Sequence, residues 1–456
     1  MSLSPALYSE TTPVADPGDP LAIARAYPEL PVFYWEQPSR GVAMVAIGVA
    51  REIQATGSRR FADVSAAATA LLASITCSAD DRRALRVVGG FGFSDQAGPG
   101  DTWRGFPPAR FVLPRWLWIR EGTRATLTRV WERGAEGAAQ AALARPLASA
   151  SITDLTAHAI PVRSTPPSSE ERARWRERVE RARAAITRGE LRKVVLARRR
   201  ELVFERPPDA GRILVPVRAD RPACFSFWVR HENQDLIGST PELLVRRTGD
   251  RVEASALAGS APRSADAARD RLLGAALLAC PKNGREHAIV VSAVRAALEQ
   301  VADRLVAPRR PDLLLLPETH HLSTPIRGRL REPRTAFELA GLLHPTPAVC
   351  GAPRDAARAL IEREEPDRGW YAGAVGWMGA DGDGELAVAL RSALVNGCRV
   401  TIWAGAGIVE GSDADAELAE TEAKMTALLG NSGAGDAGRD PQMSAAAVGT
   451  GFVEGP

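Results

Sequence analysis

The sequence lacks long apolar runs and any patterned set of cysteines. No segment of its 456 residues approaches the roughly 20 apolar residues that a membrane-spanning helix needs. A secretion signal would have a charged start followed by an apolar segment, and the sequence lacks this pattern. The five cysteines stand singly, without metal-ligand spacing, which is typical of reduced thiols in the cytosol. We therefore expect a soluble cytoplasmic protein without a membrane partner.

An excess of charge of one sign is also missing. The chain has 58 Lys and Arg against 55 Asp and Glu, which gives a formal net charge of only +3. No basic run carries interleaved aromatic residues, so we expect no nucleic-acid partner. Hydrophobic residues make up 45% and charged residues 25% of the chain, as is ordinary for a globular protein with a large core.

Both ends of the chain are predicted to be disordered. Residues 1–20 are rich in Ser, Thr, Pro and Asp, and residues 431–456 are rich in Gly, Ala and Ser. Prolines and serines at 160–171 indicate a linker that precedes a helix. We therefore predict an N-terminal α+β subdomain over 21–160 and a larger second domain over 170–430.

The patterns of strands and helices come partly in blocks. After the linker, strand-like runs lie at 193–204, 223–230, 235–238, 242–247 and 251–257, and helical patterns lie at 286–306, 335–343, 354–364 and 414–429. Blocks of this kind favour an antiparallel α+β architecture. A parallel doubly wound sheet, which needs strict alternation of strand and helix, is the alternative.

The stretch "ELAVALRSALV" predicts a strand with one roomy face. Alternation places Ala387, Ala389 and Arg391 together on that face. Small residues beside a guanidinium leave space for an anion, because arginine can bind a carboxylate through two parallel hydrogen bonds. From the pattern alone, an exposed face with an arginine that points to solvent is the favoured interpretation.

Carboxylates on two predicted helices are candidate site residues. Glu286 lies one turn before Val290 of an apolar stripe, so its side chain should point inward, where it needs a metal ion, a basic partner or a proton. Stabilisation of the first helical turn by a negative charge is the alternative. Glu417, Glu420 and Lys424 share a face of the terminal helix and are typical of a solvated charged face. Carboxylates from two helices could, however, hold Mg²⁺, which prefers oxygen ligands.

Nine stretches between about 185 and 430 resemble the chorismate-utilising enzymes and occur in the order typical of that family. They are "KVVLAR", "GSTPELL", "ALAGSAPR", "KNGREH", "HHLSTPIRG", "LHPTPAVCG", "DRGWYAGAVGW", "GELAVALRSALV" and "AGAGIVEGSDADAELAETEAKM". The first 160 residues match only loosely. The resemblance implies a large two-sheet antiparallel β-sandwich with helices packed outside, and a chorismate-binding catalytic domain over 170–430.

The resemblance also implies roles for individual residues. Lys193 of "KVVLAR" would be the general base that activates water for attack at C2 of chorismate, and Glu242 of "STPELL" would be the general acid for the C4 hydroxyl. A partly desolvated lysine at the start of a strand can serve as such a base. Mg²⁺ would bind Glu286, Glu417 and Glu420, and the substrate would contact Gly259, Ser260, His321, Tyr371, Arg391, Gly405 and Lys424.

Among the relatives, the pattern most resembles the isochorismate synthases. The aminating members of the family carry a glutamine in the place of Lys193, and one aminating branch carries a lysine in the place of Ala258, so both residues favour water as the nucleophile. We therefore expect no glutaminase partner, and a monomer or weak dimer. Salicylate synthases, which eliminate pyruvate from isochorismate, share Lys193 and Glu242 and are the alternative. A noncatalytic protein with this fold would be expected to have lost one of these residues.

Overall fold

Two large antiparallel sheets form the body of the protein. The computed structural model describes residues 6–16, 18–98, 100–135, 167–365 and 367–429. In this part of the chain an 11-stranded sheet has the order β1-β8-β7-β3-β2-β10-β11-β20-β21-β9-β17, and a 10-stranded sheet has the order β14-β16-β13-β12-β19-β18-β5-β6-β4, with β15 also paired to β16.

The strands are β1 (Leu7–Val14), β2 (Val32–Gln37), β3 (Val42–Ile47), β4 (Arg51–Gln54), β5 (Arg86–Phe91), β6 (Ala109–Leu113), β7 (Trp116–Glu121), β8 (Arg124–Glu132), β9 (Lys193–Val203), β10 (Phe225–His231), β11 (Gln234–Thr240), β12 (Leu243–Thr248), β13 (Arg251–Pro262), β14 (Ala302–Val306), β15 (Asp312–Leu315), β16 (Thr319–Leu330), β17 (Gly351–Ala352), β18 (Ala374–Gly379), β19 (Gly384–Val388), β20 (Ser392–Asn396) and β21 (Arg399–Ile408). The helices are α1 (Pro20–Arg25), α2 (Arg60–Ser74), α3 (Ala79–Ala84), α4 (Ser169–Thr187), α5 (Ala210–Asp220), α6 (Ala267–Ala279), α7 (Pro281–Glu299), α8 (Ala336–Leu343), α9 (Arg354–Glu364) and α10 (Ala414–Leu429).

Apolar side chains from both sheets fill the space between them. The core cluster includes Trp35 of the first sheet and Phe91 and Phe111 of the second, all fully buried. Phe337 of α8 joins this cluster, with its ring centroid 4.3 Å from that of Phe111. Burial of this much apolar surface is the main stabilising term in such a fold. The predicted α+β sandwich with helices outside is confirmed.

Strands from the two sides of the predicted linker meet in both sheets, as one block beside the other. β2 pairs with β10, joining Glu36 to Ser226, and β5 pairs with β18, joining Phe91 to Ala374. The described parts of the two segments therefore share their sheets and their core. The division at 160–171 stays a prediction, and residues 136–166 and 430–456 lie outside the described chain.

Two predicted boundaries are wrong. Disorder was predicted over 1–20, but Leu7–Val14 forms an edge strand that pairs with β8, and α1 begins at Pro20; residues 1–5 lie outside the described chain. The helix predicted for 286–306 begins earlier, at Pro281, since a proline suits the first helical position, and Ala302–Val306 pairs instead with β16. None of the described helices is long and apolar enough to cross a membrane.

Candidate active site

One cavity collects most of the residues predicted for the site. The empty space within it, including the part open to solvent, is about 670 Å³. Ten of the twelve predicted residues line it: Glu242, Gly259, Ser260, Glu286, His321, Arg391, Gly405, Glu417, Glu420 and Lys424. The other two, Lys193 and Tyr371, are buried directly behind Glu286 and Gly405.

Lys193 opens β9, between β17 and β21, and its side chain is only 1% exposed. The side chain is buried more completely than predicted, since a partly desolvated lysine at the start of a strand was expected. Its Nζ lies 2.8 Å from Oε1 of Glu286, which projects from α7. The inward orientation predicted for Glu286 is therefore confirmed, and its partner in the structure is a buried ammonium group.

A glycine makes room for this ion pair. A Cβ atom at Gly407 of β21 would lie 2.4 Å from Oε1 of Glu286 and 3.1 Å from Cε of Lys193. Any side chain at position 407 would therefore displace the Glu286 carboxylate. Sequence analysis missed Gly407, although it lies two residues from Gly405 and so on the same face of the strand.

Glu242 follows β11 and is almost completely buried. Burial raises the pKa of its carboxyl to about 7, against the attraction of Lys193, Arg391 and Lys424, which lowers it. The protonated and ionised forms of Glu242 are thus both populated near neutral pH. A carboxyl group in this state can donate a proton and take it back, as a general acid must.

The sequence predicted Arg391 on the face of a strand. In the structure it lies between β19 and β20. Its φ of 47° lies in the left-handed region, which a strand alternation does not reveal. Its guanidinium nevertheless lines the cavity, with Nη2 3.1 Å from Nε2 of His321. Burial, together with the nearby charges of Arg391 and Lys424, lowers the pKa of His321 to about 3. His321 is therefore neutral and accepts a hydrogen bond from Arg391.

Two further lysines pair with the carboxylates of α10. Nζ of Lys282, from the first turn of α7, lies 2.9 Å from Oε1 of Glu417, and Nζ of Lys424 lies 2.5 Å from Oε1 of Glu420. Burial and the charge of Glu420 raise the pKa of Glu417. Against its burial, the ion pair with Lys424 lowers the pKa of Glu420 to about 2. The terminal helix therefore presents its acidic face to the cavity and not to solvent.

The three carboxylates predicted to hold a metal ion line the same cavity. Within the described residues no group of three or more His, Cys, Asp or Glu side chains is already arranged to hold a metal, because Glu286, Glu417 and Glu420 each contact a lysine. The donor set still fits Mg²⁺, since it consists of carboxylate oxygens. Burial, and after it the charge of Glu420, raises the pKa of Glu417, and a cation would relieve the repulsion between the two carboxylates.

The two glycines predicted to contact the substrate are parts of strands. Gly405 lies within β21, where its carbonyl accepts a hydrogen bond of 2.9 Å from Nζ of Lys424. Gly259 lies within β13, at a register shift, with a φ of +80° that favours glycine. The hydroxyl of Tyr371 is close behind Gly405, and burial raises its pKa to about 12.

The site brings together a buried lysine, a buried carboxyl with a pKa of about 7 and an arginine, which are groups that acid–base catalysis on a small anion would require. Sequence analysis did not assign Lys282, which lines the same cavity. Its place in "KNGREH", one helical turn before Glu286, could have identified it.

Comparison with known proteins agrees with this description. A model of the family described as chorismate binding enzyme matches residues 3–431. The chain is 36% identical over 429 residues to the salicylate biosynthesis isochorismate synthase of Pseudomonas aeruginosa, covering 91% of this chain and 87% of that protein. The chain therefore belongs to the chorismate binding enzyme family.

Solved structures show the same fold. MenF, the menaquinone-specific isochorismate synthase of Escherichia coli, superposes with a TM-score of 0.75 at 28% identity, covering 94% of this chain and 95% of that one. Anthranilate synthase component I of Streptococcus pneumoniae gives a TM-score of 0.67 at 22% identity, covering 85% of this chain and 92% of that one. The second likeness supports the fold alone.

Proposed function

We propose that this protein is an isochorismate synthase, an isomerase that converts chorismate reversibly into isochorismate. Water adds at C2 of the ring and the C4 hydroxyl departs. The observation that carries the proposal is the placement of buried Lys193 and of Glu242, whose pKa is about 7, around one cavity. Relatives named isochorismate synthase support it.

Lys193 would act at C2, where the new C–O bond forms, and Glu242 at C4, where the old C–O bond breaks. Lys193 takes a proton from water as the oxygen forms its bond to C2, and the ring double bonds shift towards C4. The bond between C4 and its hydroxyl then breaks, and Glu242 donates the proton with which this hydroxyl leaves as water. One water enters and one leaves, so the product is an isomer of the substrate.

Arg391 and Lys424 would hold the enolpyruvyl carboxylate of the substrate. Both cationic groups line the cavity, and the hydrogen bond from Arg391 to neutral His321 fixes the direction of the guanidinium. Lys424 is oriented by the carbonyl of Gly405.

Glu286, Glu417 and Glu420 would hold Mg²⁺ beside the ring carboxylate, with Ser260 nearby. When bound, the ion would place positive charge beside that carboxylate and would partly neutralise the carboxylate of Glu286. A glutaminase subunit has no role in this reaction, since water is the nucleophile. We propose that the protein is a monomer or weak dimer.

The purified protein should be incubated with chorismate and Mg²⁺, with and without EDTA, and the products separated by chromatography. We expect isochorismate in equilibrium with chorismate, no pyruvate, and loss of turnover with EDTA. Salicylate with an equal amount of pyruvate would assign the protein to the salicylate synthases instead. Absence of metal-dependent turnover would contradict the proposal.

A further inference from the structure

Lysine is rare in this chain, and every lysine is at the candidate active site. Of the 58 Lys and Arg residues only Lys193, Lys282 and Lys424 are lysines, so the remaining 55 are arginines. Arginine therefore serves almost everywhere that a positive charge is needed. Lysine differs from arginine in carrying a compact charge on a flexible stem, and its three positions are those where this difference matters.

Each lysine contacts one of the three candidate metal ligands. The pairs are Lys193 with Glu286, Lys282 with Glu417, and Lys424 with Glu420, at N–O distances of 2.8, 2.9 and 2.5 Å. The proposed reaction gives a role to the first and the third lysine. It gives none to Lys282.

The position of Lys282 is unfavourable for its helix. It is the second residue of α7, where the partial positive charge of the helix N-terminus disfavours a cation. The first turn of α7 contains no acidic residue that would offset this repulsion. A local conflict of this kind points to a function that the residue serves outside its helix.

We infer that Lys282 is a positioning residue that sets the affinity of the cavity for its divalent cation, by holding Glu417 until the cation replaces it. The inference rests on the proposed function, because that function supplies the cation. The side chain of Lys282 is 35% exposed while that of Glu417 is 5% exposed, so the ammonium can swing towards solvent as the carboxylate stays.

The choice of lysine follows from this exchange. An ammonium group makes one contact and competes with the cation as a point charge. An arginine in the same place could hold both oxygens of Glu417 through two parallel hydrogen bonds and would release them less readily. Replacement of Lys282 should therefore change metal affinity in opposite directions for an apolar and a guanidinium side chain.

The test is isothermal titration of the chorismate-free protein with Mg²⁺ alone. Lys282→Met should bind Mg²⁺ roughly tenfold more tightly than the wild type, because one competing positive charge is removed. Lys282→Arg should bind it several-fold more weakly. Arg295→Met removes a charge from an exposed ion pair on the same helix and should leave the affinity unchanged.

An affinity that is equal or weaker in Lys282→Met would overturn the inference, as would the absence of Mg²⁺ binding in all four proteins. A merely structural role would lower the affinity in both Lys282 variants. Conversion of chorismate by the wild type is measured separately. Isochorismate formation with an unchanged affinity in Lys282→Met rejects only the role of Lys282, whereas absence of isochorismate rejects the proposed function.

Discussion

At the scale of single residues, desolvation decides the chemistry of Glu242. Three cations, Lys193, Arg391 and Lys424, lower its pKa, and burial alone outweighs them to leave the pKa at about 7. Glu420 is also buried, yet its contact with Lys424 holds its pKa at about 2. Two carboxyls of one cavity therefore differ in protonation at neutral pH, which supports the acid role proposed for Glu242 and leaves Glu420 available for a cation.

The first prediction concerns the pH dependence of turnover. Since Glu242 must be protonated to act, kcat/KM should fall as the pH rises through about 7. Glu242→Gln should lose roughly 10²–10⁴-fold in activity and keep no such descending limb. Glu362→Gln, a change at an exposed ion pair of α9, is the control and should behave as the wild type. A descending limb that survives in Glu242→Gln would assign the acid to another group.

The second prediction concerns the glycine behind the Lys193–Glu286 pair. Gly407→Ala should push the Glu286 carboxylate away from Lys193 and lower activity by tenfold or more, because the added Cβ would lie 2.4 Å from Oε1. Global stability should change little, since a flexible carboxylate can move. Gly284→Ala on α7, where the added Cβ meets nothing within 4 Å, is the matched control for steady-state kinetics and thermal unfolding. Full activity in Gly407→Ala would mean that the ion pair is not needed.

At the scale of secondary-structure elements, buried ion pairs fix the strand that carries Lys193. Arg368 donates to the carbonyl of Val195 in β9 and to both oxygens of Glu365, with N–O distances of 2.7 and 2.9 Å to the carboxylate. Arg178 of α4 also contacts Glu365, at 3.0 Å. One carboxylate thus contacts two arginines and links α4 and the end of α9 to the strand.

The third prediction tests this arrangement. Glu365→Gln should destabilise the protein by about 3–5 kcal/mol, because it leaves Arg178 and Arg368 buried without a counter-charge. Glu177→Gln, which breaks an exposed pair with Arg181, should cost less than about 1 kcal/mol. Chemical denaturation of both variants measures the two free energies of unfolding. Equal effects of the two substitutions on the free energy of unfolding would show that the charge of Glu365 is not needed beside Arg178 and Arg368.

Elements with a strong local pattern could be predicted from the sequence. The helices at 354–364 and 414–429 have the predicted bounds, since their apolar spacing is regular. β1 was missed because its Thr-rich and Pro-containing sequence is typical of a tail, and its pairing with β8 more than a hundred residues away has no local pattern. A proline is compatible with this strand because it lies at the edge of the sheet.

The candidate site was predictable as a set of residue types but not as a set of contacts. Glu286 could be placed inward from its helical stripe, and family motifs supplied Lys193 and Glu242. Glu420 and Lys424 are one helical turn apart in α10, whereas the pairs Lys193–Glu286 and Lys282–Glu417 depend on how α7 approaches β9 and α10, which no local pattern encodes. The position of Arg391 depends on a single left-handed residue between two strands.

At the scale of the whole molecule, the two sheets join the segments before and after the predicted linker. β2 lies between β3 and β10, and β5 lies between β6 and β18, so neither described segment has a complete sheet of its own. The cavity belongs to the second segment, whereas the core behind it includes side chains of both. Loss of either segment would therefore expose the core.

The fourth prediction follows from this shared core. Thermal unfolding should show one cooperative transition, with the calorimetric enthalpy equal to the van't Hoff enthalpy. Tryptophan fluorescence and circular dichroism should report the same midpoint. Two separated transitions would instead establish independent domains over 21–160 and 170–430.

The most direct test of the central claim is the fate of oxygen in the reaction. Chorismate should be converted in ¹⁸O-labelled water with Mg²⁺, and the isochorismate analysed by mass spectrometry. The account predicts one ¹⁸O atom per isochorismate, in the new C2 hydroxyl, because Lys193 activates solvent water. Isochorismate without the label would mean that the hydroxyl migrates within the substrate, and would contradict the roles given to Lys193 and Glu242.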